Sequence, residues 1–129
     1  MIPEALLPAL QGVFPSALST ADNDGNPNVS FISQVFFVDP NHVAISNQFF
    51  NKSMRNIQMN GRATVSVIHP ANMKGHYFYM EHVESQKDGP VFDQMSMELE
   101  AIASMSGMQD VFKLNASEIF KVVEIVEIP

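Results

Sequence analysis

Cysteine and tryptophan are both absent from this chain. The lack of cysteine excludes disulfides, thiolate nucleophiles, cysteine-ligated metals and iron–sulfur clusters, and it suits a reducing cytoplasm. Positive charge is scarce: 7 Lys and Arg stand against 14 Asp and Glu, a formal net charge of −7. A protein that reads a nucleic-acid backbone needs a basic face to displace counterions, and adhesion to anionic lipid needs the same. Neither nucleic acid nor a membrane surface is therefore an expected partner. No apolar run reaches membrane-spanning length. The start, Met1-Ile2-Pro3-Glu4-Ala5-Leu6-Leu7-Pro8, has no basic leader and places Glu and two prolines where a secretory signal needs an apolar core. The expectation is a soluble, cytoplasmic protein. Its 129 residues form one domain over 1–129, large enough to bury about two-thirds of the unfolded surface.

What is present is a series of short extended runs broken by turn residues. Residues 3–10 predict a short amphipathic helix, with Leu6, Leu7 and Leu10 at helical spacing and Gly12 to end it. Residues 15–21 predict a strand, followed by the turn signal Asp22-Asn23-Asp24-Gly25. Residues 28–38 read as one long strand. Val29, Phe31, Val35 and Phe37 lie on one face and Ile32, Phe36 and Val38 on the other, a two-sided pattern that suits a barrel wall also meeting a partner or ligand. Asp39-Pro40-Asn41 turns the chain into a strand over 42–46. A helix follows over 52–59, closed by Asn60-Gly61. Strands are expected over 63–68 and 75–84, separated by the turn Pro70-Ala71-Asn72.

Asp88-Gly89-Pro90 opens the longest helix, with Phe92, Met95, Leu99, Ile102 and Met105 as its apolar stripe and Gly107 as its stop. Residues 117–128 close the chain as a strand. Six strands, mostly joined as antiparallel hairpins and flanked by helices, make a small antiparallel barrel the economical architecture. No internal repeat is present.

The most informative stretch runs from Ile45 to Ile57. It reads as a strand ending in Ser46 and Asn47, a short loop, and a helix capped by Asn51. The free N–H groups of a helix start, with the positive end of its dipole, form a small anion site. Lys52 and Ser53 add a cation and a hydroxyl there. A cation at a helix N-terminus is locally unfavourable, so Lys52 is better placed beside an anion such as phosphate. On these residues alone, a plain surface cap with a solvated lysine stands as the alternative.

Three motifs in this order carry a family resemblance: Gly25-Asn26-Pro27-Asn28-Val29-Ser30, His42-Val43-Ala44-Ile45-Ser46-Asn47, and Lys52-Ser53 followed by Asn56-Ile57 and Asn60. Together they resemble the pyridoxamine 5′-phosphate oxidase-like FMN-binding split-barrel family over nearly the whole chain. The resemblance implies a mainly β, six-stranded antiparallel split β-barrel with flanking helices. It also implies a homodimer with FMN in a groove at the subunit interface. Position by position, Lys52 and Ser53 would hold the FMN phosphate, and Ser46 and Asn47 would contact the phosphate or ribityl chain. Ser30, Phe31, Ile32 and Ser33 would line the isoalloxazine.

The oxidase proper carries an arginine where this chain has Ser30, and an arginine- and tryptophan-bearing C-terminal segment that this chain lacks. Pyridoxamine phosphate is therefore not the expected substrate. The expectation is an FMN-dependent oxidoreductase or reductase of a small substrate; the alternatives are a non-catalytic flavin or haem carrier or sensor, or a dimeric module that has lost its ligand. Deazaflavin is the competing flavin-like cofactor, with FMN favoured. His42, His69, His76 and His82 are scattered and form no metal-ligand set. Structural roles are expected for them, with His76 or His82 as the candidate for a haem ligand. No nucleophile elbow or P-loop is present, so any catalysis belongs to the cofactor.

Overall fold

A computed structural model of the protein describes residues 1–47, 52–105, 114 and 116–129. A 3-10 turn (Glu4–Leu6) leads into α1 (Leu7–Leu10), then β1 (Ser16–Ala21), β2 (Pro27–Ile32), β3 (Phe36–Asp39) and β4 (His42–Asn47). After these come α2 (Lys52–Asn60), β5 (Arg62–Ile68), β6 (Gly75–Gln86), α3 (Pro90–Met105) and β7 (Ala116–Glu127). The expected cap Asn51 and helix stop Gly107 lie outside the described residues, as do the side chains of Ile102 and Met105.

The strands form one antiparallel sheet of seven, in the order β2-β1-β5-β6-β7-β4-β3. Sequence reading gives six, because residues 28–38 read as a single strand; the chain instead bends at Ser33 and divides into β2 and β3, at opposite ends of the sheet. The two-sided apolar pattern is thus the sum of two strands in different surroundings. Ile32 faces the main core with Leu18, Val65, Phe78 and Phe120, whereas Phe36, of the same parity, packs with Ala44, Met95 and Ile119 beneath α3. Val29 and Phe31 face outward and are exposed.

That division dictates the barrel. Laid flat, the two edges of a seven-stranded sheet would stand roughly 29 Å apart, at about 4.8 Å per strand. The link from Ile32 to Phe36 can span at most about 14 Å. The sheet must therefore curl until β2 and β3 nearly meet without pairing, and this leaves a barrel with a split in its wall. Apolar side chains alternating inward from β1, β4, β5, β6 and β7 fill it, and Leu10 of α1 and Met54 and Ile57 of α2 complete the same core.

The bend is held from one side by α1: Val35 N–H donates to the Leu10 carbonyl at 2.9 Å. Gly12 lies against it with φ +79, and a Cβ built there would sit 2.0 Å from the Ser33 carbonyl oxygen. Gly25, at φ +85, has open space around it. Gly12→Ala is therefore expected to cost about 2–4 kcal/mol, backbone strain plus overlap, against about 1 kcal/mol for Gly25→Ala. Urea denaturation of the two variants tests this, and equal losses would contradict it.

Candidate functional site

The start of α2 is fastened to β1 and β2 by polar groups. Ser53 is 1% exposed; its Oγ accepts from Asn28 Nδ2 at 2.9 Å and shares a hydrogen with Ser30 Oγ at 2.8 Å. One turn further on, Asn56 Nδ2 donates to Thr20 Oγ1 at 3.1 Å in a buried position. At the helix end, Asn60 Nδ2 donates to the Ala21 carbonyl at 2.8 Å. Ser53, Asn56 and Asn60 recur at helical spacing, and with Met54 and Ile57 they make a helix underside that is half polar. The helix is therefore held at a fixed angle as well as buried.

Lys52 is exposed at the first position of α2, and among the described residues it forms no ion pair. Its charge reaches the turn before β2: the Asp22 carboxyl is held below its ordinary range by hydrogen bonds from Asn26 and Asp24, with a smaller contribution from Lys52. Beside it runs β2, an edge strand that among the described residues pairs only with β1. Its outer edge presents unpaired backbone groups toward the split.

The expected site residues fall into distinct positions. Ser30 and Ile32 point inward, Ser30 to Ser53 and Ile32 to the core. Phe31, 80% exposed, points outward, and Ser33 is exposed at the bend. Ser46 and Asn47 share a strand end, but alternation sends them to opposite sides. Asn47 follows Val43 and Ile45 on the barrel face, while Ser46 follows Ala44 on the α3 side, where it is buried. Lys52, Ser53, Ser30 and Asn28 come together at one end of the barrel, and Asn28 is an addition to the residues read from the sequence.

A second group was not visible in the sequence. Glu118 of β7 is 1% exposed. His82 Nε2 lies 2.9 Å from its Oε1, the Ser85 hydroxyl donates to the same oxygen, and Asn47 Nδ2 donates to Oε2 at 3.0 Å. An ionised carboxylate only accepts, so the His82 Nε2 carries the hydrogen that faces it. The His82 ring also meets Phe120 edge-on at 5.2 Å. His82, a candidate haem ligand, thus has this nitrogen committed to Glu118. Nδ1 of His76, the other candidate, is buried without a partner among the described residues.

On the outer face, the strand register sets Phe31, Ala17, Ser66, Tyr77 and Val126 side by side across five strands. Val29, Ser19, Thr64 and Tyr79 form a parallel row. Large groups at the flanks and small ones between them hollow the surface. A groove of about 540 Å³ lies over Ser19, Thr64 and Tyr79, rimmed by Asp22, Arg62 and Glu81.

Residues 2–123 match the family described as pyridoxamine 5′-phosphate oxidase, and the chain belongs to that family. Solved structures share the fold. An FMN-binding protein from Syntrophomonas wolfei subsp. wolfei is similar at TM-score 0.80 and 20% identity, over 98% of this chain and 87% of that one. An F420 reductase is similar at TM-score 0.68 and 15% identity, over 97% and 98% of the two chains. The haem storage protein HutZ from Vibrio cholerae is similar at TM-score 0.61 and 16% identity, over 98% and 94%. These likenesses establish a split β-barrel, and the three proteins are named for three different ligands. Among curated proteins, none matches the sequence. No helix of the described residues is long and apolar enough to cross a membrane.

Burial by itself would raise the Glu118 carboxyl, but the hydrogen bonds from His82, Ser85 and Asn47 outweigh it and hold it below the usual glutamate value of 4.5. A depressed folded value means that this network stabilises the fold fully above the unfolded pKa and is lost as pH falls through the folded one. Glu118→Gln should therefore cost about 2 kcal/mol at neutral pH, with the gap to wild type closing below about pH 4. Denaturation curves across that range test the sign; a constant gap would contradict it.

Proposed function

We propose that the protein is a homodimeric flavoprotein that holds FMN at its subunit interface and serves as a flavin-dependent oxidoreductase or reductase of a small substrate. The observation that carries this reading is the start of α2. Lys52 stands exposed at the positive end of a helix that Ser53, Ser30 and Asn28 fix against the edge strand β2. The residues present fit the cofactor: a phosphate dianion suits a helix start with a cation, and a flat ring suits the adjoining strand edge with its free backbone groups. Family membership and the FMN-binding relative support the choice of cofactor.

In this reading Lys52 meets the phosphate directly. Ser53, beneath the helix and already bonded to β2, fixes the position of the first-turn N–H groups. Ser30 and Ile32 set the register of the β2 edge, which offers backbone groups to the ring heteroatoms, and Phe31 covers the ring or the interface from outside. When bound, FMN supplies the electron or hydride transfer. Pyridoxamine phosphate is not the proposed substrate, because the Ser30 hydroxyl is tied to Ser53 and brings no positive charge.

The outer face supports the dimer. Phe31, Val29, Tyr79, Val123 and Val126 are large, apolar and exposed, and the register rows make Phe31, Val29 and Tyr79 part of one hollowed surface. Such a patch suits a second copy of the same surface.

Two results are expected. Lys52→Ala should weaken FMN about tenfold or more while changing riboflavin less than about twofold, because only FMN carries the phosphate. Fluorescence quenching measures both, and equal losses would count against the phosphate assignment. Light scattering should give twice the 14.3 kDa chain mass, and Phe31→Asp should shift it toward monomer by burying an unpaired charge. A monomeric wild type would remove the interface from the account.

A further inference from the structure

A second cleft, of about 560 Å³, lies between α1, β3 and α3. It shares no lining residue with the groove over Ser19, Thr64 and Tyr79. Its size falls within the range of small-molecule sites, about 300–1,000 Å³. Leu7 and Leu10 wall it from α1, and Val91 and Met95 from α3, each pair on one helix face. Val35 and Phe36, both buried, line it from the sheet. Apolar faces turned to a common space ordinarily close to the density of an organic crystal. Here α1 and α3 stand apart, and open space remains between them.

The charge of the cleft is concentrated in one side chain. Glu98, one turn after Gln94 on α3, is the one charged residue that lines it among the described residues. It is half-buried. Gln94 Nε2 donates to its Oε1 at 3.5 Å and Gln34 Nε2 to its Oε2 at 3.4 Å. Both contacts exceed the ordinary span of about 2.7–3.2 Å, so the two amides steady the carboxylate and leave its charge standing. No Lys, Arg or His among the described residues pairs with it. A charge beside apolar walls acts through a lower effective dielectric than one in open water, so an opposite charge brought there counts for more. The donor set does not suit a metal ion. No group of three or more His, Asp or Glu forms there among the described residues, and the apolar walls add no oxygen ligands.

We propose that this cleft binds a small amphipathic cation: a protonated amine on an apolar body of about ring size. The ammonium group sits at Glu98, and the body lies between α1 and α3. An ammonium brings the missing charge and up to three hydrogens to the carboxylate. An alcohol of the same shape fits the walls but leaves the charge unpaired, and a carboxylate of that shape is repelled. The site goes beyond the flavin reading and depends on neither the flavin nor the dimer.

Three probes of similar shape test it: phenethylamine, phenethyl alcohol and 3-phenylpropanoate. Each is titrated into the full chain while the methyl signals of Val91 and Met95 are followed by proton–carbon NMR. Phenethylamine should shift both signals to saturation, with a Kd of about 1 mM or tighter. The alcohol should bind about tenfold more weakly, and the anion more weakly still. Glu98→Gln keeps the shape and removes the charge. It should bring the amine to within about twofold of the alcohol, and leave the alcohol itself unchanged within about twofold.

Glu100→Gln is the control, because it removes the same charge from an exposed position on the same helix. It should change the amine by less than about twofold. Four results would overturn the proposal. The amine could leave the Val91 and Met95 signals in place, or the three probes could bind alike. Glu98→Gln could keep the full preference for the amine, or the two variants could weaken it equally, which would mean general attraction to an acidic protein.

Discussion

The short link between Ile32 and Phe36 is the constraint on which the rest depends. It joins the two ends of a seven-stranded sheet through a segment too short to cross a flat one, so curling is forced by chain length. Closure is then refused: β2 and β3 are brought together without pairing, and the wall keeps a split. The open edge of β2 faces that split, and α2 lies beside it. Gly12 and the Leu10 carbonyl secure the link from outside the sheet. The residues that make the barrel thus also define the place where a ligand can approach backbone.

Around this frame, apolar burial supplies stability and polar contacts supply position. Met54 and Ile57 bury α2 in the common core, but a helix held only by such contacts can slide or rotate. Bonds from Ser53 to Asn28 and Ser30, from Asn56 to Thr20 and from Asn60 to Ala21 fix its register on β1 and β2. At the end of β4, Glu118 plays the same part for Asn47. A buried carboxylate with one missing donor is costly, so the complete set of His82, Ser85 and Asn47 is both its compensation and a restraint on them.

Most elements were legible in the sequence because their signals are local. The turn at Asp22 to Gly25, the hairpin at Asp39-Pro40-Asn41 and the helix opening at Pro90 each rest on a few adjacent residues with restricted backbones. The long strand misled for a physical reason: period-two alternation survives a bend of three residues, so β2 and β3 read as continuous although they belong to opposite edges. Ser46 and Asn47 looked like neighbours at one site, yet strand geometry separates their side chains. Glu118 was hidden because its partners lie 33, 36 and 71 residues away. In sequence it is one of four charges, with Lys121, Glu124 and Glu127, punctuating an Ile/Val/Phe run, and only the cross-strand register shows that it is inside.

On the proposed reading, the fixed helix start and the open strand edge together bind FMN in a dimer. Size-exclusion chromatography of the protein incubated with FMN, with absorbance and light scattering read on the same peak, tests it most directly. Flavin absorbance is expected to co-elute at twice the chain mass, with one FMN per chain. A colourless monomer, or a protein that passes FMN by and retains haem, would contradict it.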